Sequence, residues 1–134
     1  MSAIAVLQRR VEEWRENAHP PDDRPRAQRE DRRRHCAIVQ IEGELDATAV
    51  AEFRDALHEA VLASAHVVVV DLRRARFLSI GCAAELAAAR EPALRAGVDL
   101  RVVAGRSEIE RVLAVTGLRR QFEYYPTLQV AAES

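Results

Sequence analysis

Residues 67–71 read Val-Val-Val-Val-Asp, and this stretch decides the fold. Four β-branched residues in succession put apolar side chains on both faces of a strand, which suits a central strand covered by helices on each side. The run ends at Asp71. Downstream, a connection through Arg73, Arg74 and Arg76 leads to Phe77 and Leu78, and a helix rich in alanine begins near Ile80 and carries Leu86. Pro92 interrupts that helix, because proline has no N–H to give, so either a kink or a short second piece is expected there. Val98, Leu100 and Val102 alternate with Asp99 and Arg101, the pattern of a strand near a sheet edge with one polar face. Ser107 and Glu110 have the spacing of a capping box, and the helix they open buries Ile109, Val112 and Leu113 before Gly117 stops it. A short strand at residues 122–124 and a last helix from Thr127 complete the chain.

Upstream of the valine run, Val50, Phe53, Leu57, Ala60 and Val61 share one helical face, and the Asp46 carboxylate is placed to cap the first turn. The β-branched run at residues 37–41, ending at Gly43, is the first secure strand. Strands alternating with helices call for a mostly parallel sheet of four to five strands, with about four helices and right-handed crossovers. Before it, Ile4, Leu7, Val11 and Trp14 recur at helical spacing, which predicts an amphipathic helix over residues 1–18. His19-Pro20-Pro21 would end it. Residues 19–35 then read as a polar Pro/Arg-rich linker, and residues 36–134 as the domain.

Composition narrows the function. The chain has 134 residues, 49% hydrophobic and 31% charged, enough for one aliphatic core. All 20 basic residues are arginine and the net charge is −1. Arginines at positions 24–34 are nearly offset by Asp22, Asp23, Glu30 and Asp31, without interleaved aromatics, so no direct nucleic-acid contact is expected. No apolar run is long enough to cross a bilayer, and no secretory leader is legible, which predicts a cytoplasmic protein. Cys36 and Cys82 belong to no metal-spaced set, so no metal site is expected. The glycines form neither a dinucleotide fingerprint nor a phosphate loop, so no cofactor is expected either. His19, His35, His58 and His66 are scattered, and no nucleophile, base and oxyanion site assemble. Cys82, in the first turn of a helix, is the one candidate for a reactive thiol. The need for a small residue where helix meets sheet is the simpler account of it.

The ordered set of Gly43-Glu44-Leu45-Asp46 after a strand, a valine-rich strand to Asp71, Phe77-Leu78 before a helix, and Gly97, Gly117-Leu118 and Phe122 downstream resembles the STAS family of anti-sigma factor antagonists. The resemblance covers the chain from Cys36 on. It implies a non-enzymatic module of bacterial partner switching that binds an anti-sigma factor, a GHKL-type serine kinase, and is released when the kinase phosphorylates it. Family members carry an Asp-Ser-Ser/Thr-Gly-Leu motif directly after the pair matched by Phe77 and Leu78. Here those positions read Ser79, Ile80, Gly81, Cys82 and Ala83, so Gly81 stands where the acceptor hydroxyl would be.

Ser79 is then the remaining hydroxyl of the turn, either a relocated phosphoacceptor or simply the helix N-cap. Asp46 reads both as an N-cap and as a partner contact. The implied partner-binding residues are Glu44, Asp46, Thr48, Ser79, Ile80, Gly81 and Cys82. The strand that such domains generally place before Ala37 finds no apolar candidate in residues 26–34. The amphipathic N-terminal face would therefore dock on the domain itself, or else on a second copy in a homodimer or on a partner. A small-ligand- or nucleotide-sensing STAS domain, or a subunit of a transport or signalling complex, is the alternative function, and an apolar pocket would favour ligand sensing.

Overall fold

The valine run is the start of the middle strand of a five-stranded sheet. The computed structural model describes residues 3–10, 35–63 and 66–133. Within it, β1 (Ile4–Arg10), β2 (His35–Leu45), β3 (Val67–Leu78), β4 (Asp99–Ala104) and β5 (Glu123–Tyr125) lie side by side in sequence order. All neighbouring pairs are parallel except β1 on β2, so the sheet is mixed, with one antiparallel edge strand. Val67, Val68, Val69 and Val70 are all buried.

Strands laid down in one direction fix where the helices go. With every crossover right-handed, α1 (Val50–Ala63), α2 (Ile80–Arg95) and α3 (Ser107–Val115) fall on the same face. There Phe53, Leu57, Leu86, Ile109 and Leu113 pack on Val39, Ile41, Val68, Val70 and Val102. Each such side chain contributes about 1.5–3 kcal/mol on burial. The alternate residues of the strands, Cys36, Ile38, Val67, Val69 and Val103, face the other way and are covered by α4 (Leu128–Glu133) through Ala131 and Ala132. The two covers that the valine run demanded are therefore very unequal.

Residues 4–10 are a strand, not part of an amphipathic helix. Ile4 and Val6 pack against the large core while Leu7 packs on the opposite cluster, the period-2 alternation of a strand. The physical reason is that β2 is buried, and its outer edge needs hydrogen-bonding partners that a helix could not supply. The register pairs Ile4 with Ile41 and Val6 with Val39. This segment is thus the strand sought in vain in residues 26–34, and self-docking occurs by pairing. The rest of the expected helix, with Val11 and Trp14, and linker residues 19–34 lie outside the described residues. His35 opens β2 and is not the last linker residue. With residues 4–7 engaged in the sheet, the basis for a homodimer through an N-terminal helix falls away for them.

Other expectations shift for local reasons. β3 continues past Asp71 through Arg73, Arg74 and Arg76 to Leu78. Two irregularities in its pairing with β2 absorb the extra residues, and Asp71 accepts hydrogen bonds from the Arg73 backbone N–H at 3.1 Å and side-chain Nε at 3.0 Å. α2 runs unbroken to Arg95 with Pro92 inside it. The Ser107 capping box does not form. Ser107 is already helical, Arg106 takes the cap position without a side-chain bond, and Glu110 pairs with Arg119. On the polar face of β4 Asp99 is exposed, but α4 covers Arg101, which is buried, donating to the Ala131 carbonyl at 2.7 Å and pairing with Asp99 at 2.9 Å. No helix among the described residues is long and apolar enough to cross a membrane.

Candidate functional site

Two helix starts meet beyond the ends of β2 and β3. The first follows Leu45, where Asp46 caps a 3-10 turn, Ala47–Ala49, that runs into α1. Its Oδ1 accepts from the Thr48 backbone N–H at 2.9 Å and from the Thr48 hydroxyl. These bonds, the hydroxyl's first, hold the Asp46 carboxyl below its ordinary value, so it is a stable anion at neutral pH. Both Asp46 and Thr48 are exposed, as is Glu44.

The second start follows Leu78. Ser79 caps α2, its hydroxyl oxygen accepting from the Cys82 N–H at 3.2 Å. Ser79 and Cys82 are buried, whereas Ile80 is 74% exposed and Gly81 is open to solvent. The expected N-cap role of Ser79 is therefore present in the structure, and so is that of Asp46.

Two bonds tie the starts together. The Ser79 N–H donates to the Leu45 carbonyl at 2.8 Å, and the Cys82 thiol reaches the Asp46 carbonyl at 3.6 Å. Glu44, Asp46 and Thr48 thereby share one face with Ile80 and Gly81, while Ser79 and Cys82 lie beneath it as supports. Burial pushes the Cys82 thiol above its ordinary value despite the opposing bond from Ser79. With its thiol held above the ordinary value, nucleophilic use of Cys82 is disfavoured. Cys36, on the opposite sheet face, is pushed up to about 12 by burial. Among the described residues no cluster has the composition of a metal site.

Two contributors escape a reading of the sequence. Phe77, cross-strand from Glu44, is 47% exposed and adds to Ile80 an apolar element at the same end. The alternation Phe77 out, Leu78 in was the available signal. Val50, placed on the buried face of its helix by periodicity, also abuts Gly81: a side-chain carbon there would lie 2.9 Å from Val50 Cγ2. No local pattern marks that contact.

Elsewhere, a groove between α1 and α2 is lined by residues that include Arg54, Leu57, His58 and Pro92, and has a volume of about 230 Å³. This is below the roughly 300–1,000 Å³ of ordinary ligand pockets. A larger depression of about 500 Å³ is bounded by side chains of α1 alone, from Asp55 to Ala63, and is an open surface.

A STAS domain family model matches residues 27–131. A search of curated proteins returned no relative. Among solved structures, an anti-sigma factor antagonist from Mycobacterium paratuberculosis is 25% identical, with a TM-score of 0.65, over 96% of this chain and 90% of that one. An anti-sigma-factor antagonist (STAS) domain protein from Planctomyces limnophilus is 17% identical, with a TM-score of 0.63, over 72% of this chain and 86% of that one. Unphosphorylated SpoIIAA, a cell fate determinant of Bacillus, is 20% identical, with a TM-score of 0.58, over 72% of this chain and 84% of that one. With the sheet order, the paired helix starts and the family match over residues 27–131 in agreement, this chain belongs to the STAS domain family.

Proposed function

We propose that this chain is a non-catalytic, cytoplasmic regulatory module of the anti-sigma factor antagonist kind, which binds an anti-sigma factor of the GHKL serine-kinase type. The observation that carries the reading is the joining of the Asp46 turn to the start of α2, which gathers an anionic carboxylate and exposed Ile80 on one face. A polar rim around an exposed apolar anchor suits recognition of a protein. The M. paratuberculosis and P. limnophilus structures are of anti-sigma factor antagonists, which supports the same partner class. SpoIIAA has been solved both with and without phosphate. Here Gly81 occupies the acceptor's place, and the Ser79 hydroxyl, buried and engaged by the Cys82 N–H, is poorly presented to a kinase. Both features favour an antagonist that stays unphosphorylated on this face and is controlled otherwise. The small groove between α1 and α2 gives the ligand-sensing alternative little support.

Calorimetric titration of a purified GHKL-type anti-sigma kinase tests the reading. The native chain should bind, and Ile80→Asp should weaken binding at least tenfold, since a charge replaces an exposed anchor without entering the core. Equal affinity for the two overturns the proposed face. Kinase and ATP added to the native chain should leave no label; label that disappears in Ser79→Ala would instead identify Ser79 as the acceptor.

A further inference from the structure

The contact between α2 and the start of α1 at Gly81 has a consequence for regulation. Gly81 lies in the first turn of a 16-residue helix, where glycine is a poor helix former and its backbone needs no positive φ. Something other than backbone conformation therefore accounts for it. A Cβ at this position would sit 2.9 Å from Val50 Cγ2, well inside the roughly 3.5–4.0 Å of an ordinary carbon–carbon contact. The obstacle is not the end of a flexible side chain. Val50 is β-branched and is the first residue of α1, with helical φ −57 and ψ −50, so one χ1 rotamer dominates and the γ carbon cannot swing aside without cost. Nor can the two helix starts simply separate, because the Ser79 N–H to Leu45 carbonyl bond and the Cys82 thiol to Asp46 carbonyl contact hold them together.

We infer that Val50 and Gly81 form a steric lock that closes position 81 to any side chain. A hydroxyl introduced at position 81 alone would strain this contact, so position 81 is held in its unmodified state by a pair of residues on two helices. The inference rests on the reading of this face as the partner surface, but the lock itself is a packing claim testable without a partner.

The sign of a melting shift decides it. In an ordinary helical site Gly→Ala raises stability by reducing the freedom of the unfolded chain. Gly81→Ala should instead lower the melting temperature of the native chain, by about 4 °C or more, yet raise it when introduced into Val50→Ala. A shift of the same sign in both backgrounds overturns the lock. As a second readout, Gly81→Ser should remain unlabelled by kinase and ATP, whereas Val50→Ala/Gly81→Ser should accept phosphate. Equal labelling of the two overturns the regulatory consequence. If no kinase binds the native chain while the melting signs still invert, the functional reading fails and the lock stands.

Discussion

The two helix starts at the candidate site use the same capping chemistry at opposite depths. At α1 an aspartate caps in the open, its carboxylate shared between the backbone and hydroxyl of Thr48. At α2 a serine caps under cover, and its oxygen is the partner found for the Cys82 N–H. The difference separates two kinds of cost. Removing an exposed cap lets water take its place, while removing a buried one strands a donor that water does not reach. A buried cap therefore belongs to the scaffold, and an exposed one is free to serve both the helix and a partner.

That contrast can be broken by mutation, beginning where the effect should be largest. Ser79→Ala should destabilise the fold by about 1–3 kcal/mol in urea unfolding, because the Cys82 N–H loses its acceptor in a buried site. A loss no greater than that of Asp46→Ala would remove the distinction. The next effect is on thiol chemistry. Cys82, its pKa raised by burial, should resist alkylation in the native chain at pH 8 and react only after unfolding; rapid native labelling would mean that the α2 start opens readily.

The acid limb should respond more weakly. Asp46 has a folded pKa below its ordinary 3.8, so its contribution is complete above that value and is lost as pH falls through the folded one. Asp46→Asn should flatten the stability profile only below about pH 4, and an altered slope near neutrality would contradict the assignment. Smallest of all, Asp46→Asn should leave the neutral-pH unfolding midpoint unmoved, since asparagine caps about as well as aspartate. Any loss of kinase affinity in that variant would then report the charge itself.

Much of the architecture was legible because it depends on local pattern. The valine run, the helix face from Val50 to Val61 and the caps at Asp46 and Ser79 each follow from spacing within a few residues, and each stands in the structure. Residues 4–10 read as helix because Ile4, Leu7 and Val11, with polar Gln8, Arg9 and Arg10 between the last two, satisfy a helical period, while the strand alternation seen in the structure shows only against the edge of β2. The burial of Arg101 on the polar face of its strand is hidden for the same reason: nothing near it in the sequence announces that α4, some thirty residues later, covers it.

The candidate site divides along the same line. The sequence by itself determined an α/β domain with parallel strands, the caps at Asp46 and Ser79 and the absence of a hydroxyl at position 81. Those are properties of residue type and short-range spacing. Only the tertiary structure decided that Asp46 and Ile80 share a face, that Ser79 and Cys82 lie under it, and that Val50 fills the space beside Gly81. These relations join residues more than thirty positions apart, and they arise because right-handed crossovers on adjacent parallel strands bring successive helix starts to the same edge of the sheet.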